Sequence, residues 1–176
     1  MRQPGPTEIE PTRAIQSFTY GNDEDQYAAV HAIDMDLSTV AVADMGFLHE
    51  TVWLELELER IYFIHTVVIY HRFYTNWFDP HNWCAQNEDQ FKGCLHKSDN
   101  VDVSVYLGEE KQKSCGTLQL TNGLKQSDQI YKMICNTVGD TVRLSKTTGS
   151  IYVCEISITS TGKDEPDVTI IFRQVL

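Results

Sequence analysis

Basic residues are scarce in this sequence. It contains 14 Lys and Arg against 25 Asp and Glu, which gives a formal net charge of −11 at pH 7. A nucleic-acid partner needs a clustered basic face to neutralise its phosphates, and the basic residues here are scattered. An anionic membrane surface attracts proteins through the same kind of positive charge. We therefore expect neither of them as a partner.

Long hydrophobic runs are also missing. No apolar stretch approaches the roughly 18 residues that a membrane-spanning helix needs, so we expect no membrane insertion. The opening residues MRQPGP do not have the pattern of a signal peptide. We expect a mature or excised domain whose targeting segment is absent.

Catalytic motifs are absent too. There is no nucleophile elbow, phosphate-binding loop or metal-hydrolase spacing. The alternating Glu55, Glu57 and Glu59 are most simply the solvated face of a strand. A glycosidase with two acids remains an open alternative, although nothing singles out a pair. We expect a binding module and not an enzyme.

The patterns that are present favour strands, with no convincing amphipathic helix. WLELEL at residues 53–58 and VDVSVYL at residues 101–107 alternate strictly, which predicts half-buried strands. Residues 61–70 form a β-branched and aromatic run that predicts a central strand covered on both sides. Residues 141–144 and 154–158 supply two more strands. Turn signals at positions 107–110, 121–123 and 148–150 separate them. This order predicts an all-β fold of the jelly-roll β-sandwich type.

The chain length of 176 residues favours one domain with one core. Residues 1–12 hold three prolines among polar residues and are interpreted as an N-terminal linker. The sandwich is expected over residues 13–162. Residues 163–176 contain one further strand, which either completes the sandwich edge or begins a neighbouring module.

Five cysteines are spaced too widely for a zinc finger. Cys84 and Cys94 bracket a polar loop rich in aromatics, and Cys115 and Cys135 flank two strand-like segments. Two disulfides and an oxidising compartment are the favoured interpretation, with cytosolic thiols as the alternative.

Several short motifs occur in an order that resembles the F-type lectin (fucolectin) family of galactose-binding-like β-sandwiches. The resemblance covers roughly residues 13–160. Its main motifs are AIQSFTY at 14–20, AVHAIDMD at 29–36, GFLH at 46–49, VVIYHR at 67–72, VSVYLG at 103–108, CG at 115–116 and CEISI at 154–158. It implies a secreted or cell-surface module that is stabilised by calcium and recognises a glycan or glycoprotein.

The resemblance implies a calcium site made of oxygen atoms, which suit a hard cation. The side-chain ligands would be Asp34 and Glu155. Backbone carbonyls would come from His31, Asp36, Gly46 and Cys154. The alternative is that Asp34 caps a turn and Glu155 is an exposed strand residue. In the family, the cysteine of the last strand forms a disulfide with a second cysteine, whose position is occupied by Phe47 here. The resemblance therefore implies that Cys154 is an unpaired, buried thiol that packs against Phe47.

Sugar recognition in that family uses a His, an Arg-x-Asp and a second basic residue. His49 and Arg72 stand in the matching places, whereas the Asp position is Tyr74 and the next basic residue is Lys92. The resemblance therefore implies a fucose triad that is lost in part.

Aromatic residues are dense in the 73–99 loop, where Tyr74, Trp77 and Trp83 are candidate ligand contacts. Such rings stack on sugars or anchor protein interfaces. They also pack as a small core beneath a long loop, and this interpretation stays open. Glycan binding through His49, Arg72 and these aromatics is the first hypothesis. Protein recognition through the same loop, in adhesion or a receptor ectodomain, is the alternative.

Overall fold

A computed structural model describes residues 6–44, 51–71, 100–118, 129–147 and 150–161. The strands in these ranges are β1 (Pro6–Ile9), β2 (Pro11–Gln16), β3 (Ala41–Ala43), β4 (Val52–His71), β5 (Val101–Leu107), β6 (Glu110–Leu118), β7 (Gln129–Lys146), β8 (Ile151–Val153) and β9 (Glu155–Thr161). Helical structure in them is limited to α1 (Glu24–Tyr27) and 3-10 turns at Tyr20–Asn22 and Ala29–Ala32. The all-β prediction is confirmed.

β4 and β7 pair along almost their whole length and form the frame of the fold. Their antiparallel register runs from Val52 opposite Lys146 to His71 opposite Gln129. β4 has 20 residues, which would extend over about 66 Å if straight, far beyond the width of a domain of this size. The ladder therefore bends where its register shifts, between Glu57 and Tyr62.

The two halves of this bent ladder belong to two layers. Residues 52–57 of β4 lie between β2 and the C-terminal half of β7, which continues to β5 and β6. Residues 64–70 lie between β9 and the N-terminal half of β7, with β1 outside β9. Strands that pass from one layer to the other at bulges are typical of orthogonal packings. The arrangement is the predicted jelly-roll sandwich.

The core lies between these layers. Leu54 and Leu56 come from the first half of β4, and Val67 and Ile69 come from the second half. All four are fully buried and belong to one cluster. Burying each such side chain contributes roughly 1.5–3 kcal/mol. The alternation that predicts these strands is therefore also what holds the layers together.

Gly139 allows β7 to pass close to β5 at the bend. It lies opposite Tyr62, at the register shift of β4. A Cβ atom on Gly139 would lie 2.3 Å from Cγ1 of Val105 and 2.5 Å from the carbonyl oxygen of Tyr106. No other residue fits at this distance, so the glycine is required by packing.

Residues 6–12 are not the linker that the sequence suggested. β1 pairs with β9, β2 pairs with β4, and Ile9 is only 5% exposed. Each of these strands begins with a proline. Proline has no backbone N–H to donate to a neighbouring strand, and this is tolerated at the first residue of a strand and at the edge of a sheet. The side chain of Glu8 also accepts a hydrogen bond from Ser157 at 2.7 Å.

Two strand predictions need correction. Residues 53–58 and 61–70 are parts of one strand, β4. The second part is covered on its inner face only, because Val68 and Tyr70 are half-buried while their neighbours Val67 and Ile69 are fully buried. An antiparallel sheet can leave its outer face open to water.

The strand predicted at residues 154–158 begins one residue later, at Glu155, because Cys154 lies between β8 and β9. β8 pairs with β3, whereas β9 pairs with β4 and β1. Cys154 is a buried thiol, as predicted. It packs in a cluster with Tyr27, Val42 and Tyr152, while Phe47 lies outside the described residues.

The Cys115–Cys135 disulfide is confirmed. Cys115 lies on β6, at the edge of one layer, and Cys135 lies on the N-terminal half of β7, at the edge of the other. The bond therefore joins the two layers where no shared strand does. The predicted partners Cys84 and Cys94 lie outside the described residues, as do residues 163–176.

We expect the double change Cys115→Ala and Cys135→Ala to lower the free energy of unfolding by about 3 kcal/mol. Without the bond, the chain between these two cysteines is no longer a closed loop in the unfolded state, so the unfolded state gains entropy. Urea denaturation of the oxidised protein measures the loss. Cys84→Ala with Cys94→Ala is the matched control, since it removes the other predicted pair. A loss below about 1 kcal/mol for the first variant would show that the cross-link does not stabilise the sandwich.

Candidate functional site

The candidate metal loop lies between β2 and β3 and begins with short helical turns. Asp23 caps α1 by accepting a hydrogen bond from the Gln26 N–H at 3.1 Å. Glu24 and Asp25 occupy the first turn, where negative charge favours the helix N-terminus. The 3-10 turn Ala29–Ala32 follows and places His31 and Asp34 in one exposed loop.

Asp34 organises this loop through three hydrogen bonds. Its Oδ1 accepts from the Asp36 N–H at 2.9 Å. Its Oδ2 accepts from the Thr39 hydroxyl at 2.7 Å and lies 3.0 Å from the His31 Nδ1. Asp34 therefore has the turn-capping role that the sequence left open.

Glu155 connects the loop to the last strand. It is the first residue of β9, and its Oε2 accepts a hydrogen bond from the Met35 N–H at 2.8 Å. The backbone N–H of the preceding Cys154 donates to the carbonyl of Tyr70 at 3.0 Å. The carboxylate is therefore held beside the Asp34 loop at the end of β4.

Partial burial of Glu155 raises its pKa to about 7, the Met35 N–H acts in the opposite direction, and the negative charge of Asp34 raises the pKa further. Two carboxylates that repel each other are stabilised by a proton or a cation between them. The pKa of Asp36 is lowered instead, by hydrogen bonds from the Ser38 hydroxyl and N–H. The loop thus combines one carboxyl group poised for protonation or cation binding with one that stays ionised.

The donor set suits calcium in its chemistry. Asp34 and Glu155 supply carboxylate oxygens, and the turns around Asp34 bring backbone carbonyls into the same loop. Among the described residues, no group of three or more His, Cys, Asp and Glu side chains forms a metal site. An ion would therefore depend on carbonyl ligands, one of which, from Gly46, lies outside the described residues.

The structure brings together one part of the predicted site. His31, Asp34, Asp36, Cys154 and Glu155 lie in the loop or at the β8–β9 junction that contacts it. The other predicted site residues lie outside the described residues: Gly46, His49, Arg72, Tyr74, Trp77 and Trp83.

Sequence reasoning missed Ser38 and Thr39. Ser38 donates two hydrogen bonds to Asp36 Oδ1, at 2.8 Å from its N–H and 2.6 Å from its hydroxyl, and Thr39 bonds to Asp34. An aspartate side chain often accepts a hydrogen bond from the backbone two residues on, so Asp36 could have pointed to Ser38, whereas no local signal of this kind points to Thr39.

Backbone contacts link both parts of β4 to the β3–β8 pair. The Ser17 N–H donates to the Trp53 carbonyl, and the Asp44 N–H donates to the Phe18 carbonyl. Next to Asp44, β3 pairs with β8, and β8 leads to Cys154, whose N–H donates to the Tyr70 carbonyl. In the sequence, His49 precedes β4 by three residues and Arg72 follows it directly.

No protein-family model matches the sequence, and no curated protein matches it. Among the described residues, no helix is long and apolar enough to span a bilayer.

Solved structures do share the fold. A serum F-lectin (fucolectin) of striped bass, Morone saxatilis, is 13% identical with a TM-score of 0.62, over 92% of this chain and 50% of that chain. This chain thus spans half the length of that lectin. The lectin domain of lectinolysin, as a histidine mutant complexed with Lewis b, is 16% identical with a TM-score of 0.62, over 90% of this chain and 100% of that chain.

A family 32 carbohydrate-binding module from Clostridium perfringens NanJ, in complex with galactose, is 12% identical with a TM-score of 0.61. The match covers 88% of this chain and 99% of that chain. At such identities the likeness concerns the fold, which is the galactose-binding-like jelly roll that the sequence motifs suggested.

The raised pKa of Glu155 predicts how stability depends on pH in the presence of a chelator. From the ordinary value of 4.5 up to about 7, the folded protein holds a proton that the unfolded chain releases. The contribution of Glu155 to the free energy of unfolding therefore falls as pH rises through this interval. Urea denaturation measures the free energies of unfolding of the wild type and of Glu155→Gln. The difference between them should change between pH 4.5 and about 7. A difference that is constant with pH would contradict the assignment.

Proposed function

We propose that this chain, which has the jelly-roll fold found in F-type lectins, is a non-catalytic glycan-binding module of a secreted or cell-surface protein. The observation that supports this most is the hydrogen bond from the Cys154 N–H to the Tyr70 carbonyl, which holds the end of β4 beside Glu155. In the sequence, Arg72 follows β4 directly and His49 precedes it by three residues. The matched lectin and carbohydrate-binding modules include complexes with Lewis b and galactose.

Each proposed contact residue has a role in sugar binding. His49 and Arg72 donate hydrogen bonds to hydroxyl or ring oxygens, for which a charged guanidinium is well suited. Tyr74, Trp77 and Trp83 offer aromatic faces for the apolar side of a sugar ring. Because Tyr74 replaces the aspartate of the fucose triad, we propose that the glycan is not held by that triad alone.

Calcium has a structural role in this proposal. Bound near Asp34 and Glu155, it would supply a positive charge that offsets the repulsion between their carboxylates. Those two residues, with carbonyls of His31, Asp36, Gly46 and Cys154, would hold it. Since the Met35 N–H already ties Glu155 to the loop, the ion would strengthen a contact that the chain makes by itself.

The extracellular part of the proposal is supported by the Cys115–Cys135 disulfide. Such bonds persist in oxidising compartments and are rare in the cytosol of mesophiles.

A glycan array tests the ligand class. We expect the wild-type protein to bind a restricted set of glycans. For a glycan that binds on the array, Arg72→Ala, or the double change Trp77→Ala and Trp83→Ala, should lower the affinity measured by calorimetry at least about tenfold, because each removes a principal contact.

The control for these variants is Ile134→Ala, which removes an exposed apolar side chain from the outer face of β7 and should bind as the wild type does. Melting curves of all variants separate lost binding from lost folding. If the array is blank while the tryptophan change abolishes binding to a protein partner, the alternative function in protein recognition is correct.

Calcium is tested by melting temperature, which should rise with calcium if the ion binds only the folded chain. We expect Glu155→Gln to raise the melting temperature in chelator, because it removes a repelled and partly buried charge, and to abolish the rise with calcium. Asp34→Asn should also abolish that rise.

Glu57→Gln is the control. Glu57 lies on β4 opposite Arg13 of β2, with which its carboxylate forms an ion pair. Loss of this carboxylate should leave the calcium response intact. If the wild type has the same melting curve in calcium and in chelator, the folded chain does not bind calcium and this part of the proposal is wrong.

A further inference from the structure

The loop around Asp34 exposes an unusual amount of apolar surface. Met35 is 83% exposed, Val30 is 52% exposed and Leu37 is 46% exposed. These are three of the six large hydrophobic residues that are exposed among the described residues. They lie within eight consecutive positions, so this exposure is concentrated and not scattered as on an ordinary surface.

Met35 adopts a backbone conformation that disfavours its own side chain. Its φ is +59°, in the left-handed region that glycine and asparagine adopt most readily. The conformation is held by the hydrogen bond from the Met35 N–H to Glu155 Oε2 at 2.8 Å. A strained residue whose side chain contacts mainly water contributes little to folding, and backbone strain of this kind is concentrated at functional positions.

In the chain segment that contains these residues, the fixed charges are all negative. No Lys or Arg occurs between Arg13 and Arg60. Five acidic residues lie close to the apolar ones in the chain: Asp23, Glu24, Asp25, Asp34 and Asp36. Complementary charge therefore favours a positively charged partner over an anionic membrane or a second copy of this chain, which has a net charge of −11.

We propose that Val30, Met35 and Leu37 form a docking tip for a protein surface that has an apolar pocket bordered by Lys and Arg. Met35 enters the pocket, and the acidic residues of the loop face the basic border. A flexible thioether side chain adapts to pockets of varied shape, and the fixed backbone of Met35 limits the entropy lost on binding. Val30, Met35 and Leu37 are not among the proposed glycan contacts.

The test uses the full chain and a synthetic amphipathic helix of Leu and Lys, with binding measured by calorimetry at physiological ionic strength. An all-Lys peptide of equal charge reports electrostatic attraction alone. We expect the Leu–Lys peptide to bind the wild type more tightly than the all-Lys peptide, and Met35→Asn to weaken it about tenfold, as for loss of an interface anchor.

Ile130→Asn is the matched control. It replaces another exposed hydrophobic residue, 65% exposed on β7, and should leave peptide binding unchanged. Met35→Asn should fold at least as stably as the wild type, because asparagine adopts this φ more readily. Calorimetry of Met35→Asn with a glycan that the wild type binds is run in parallel: loss of peptide binding alone separates the tip from the proposed sugar site, and loss of both would assign Met35 to the sugar site instead.

Three further outcomes would overturn the proposal. The first is equal binding of the two peptides, or an affinity that Met35→Asn does not change. The second is a dimer in sedimentation that Met35→Asn dissolves, which would assign the tip to a second copy. The third is Met35-dependent binding to phosphatidylcholine vesicles, which would assign it to lipid.

Discussion

The antiparallel pairing of β4 with β7 is the constraint on which the rest of the structure depends. One bent ladder supplies neighbours to both layers, since β2 and β9 pair with β4 and β5 pairs with β7. The bend requires a residue without a side chain at Gly139. The end of β4 is held beside the last described strand, because the Cys154 N–H donates to the Tyr70 carbonyl.

Alternation in the sequence predicted the strands and the all-β class, because inward-facing side chains such as Leu54, Leu56, Val103 and Val105 repeat with a period of two. It could not show that residues 53–58 and 61–70 are one strand. A bulged bend and a turn leave similar local signals, and the partner across the ladder, Gly139, is far away in sequence. Prolines misled the interpretation of residues 6–12 because their edge position is a tertiary property.

Part of the candidate site was also accessible from sequence. Short motifs grouped Asp34 with Glu155, although they are 121 positions apart along the chain, and the structure holds Glu155 against the Asp34 loop; their role in binding calcium stays a prediction. Their contact through Met35 could not be derived, because a left-handed methionine is not what local preferences predict. The loop keeps two repelling carboxylates and a strained exposed side chain. Departures from local rules of this kind are expected where selection acts on recognition and not on stability.

The Cys115–Cys135 bond also affects how the domain would respond to a protease. The chain between β6 and β7 lies wholly between the two bonded cysteines. A single peptide bond cut there would leave both fragments covalently joined, with β5 and β6 still attached to β7 through sulfur and through the sheet. On a denaturing gel, such a cleaved molecule would migrate as one species without reductant and as two after reduction. Under native conditions its core would stay assembled.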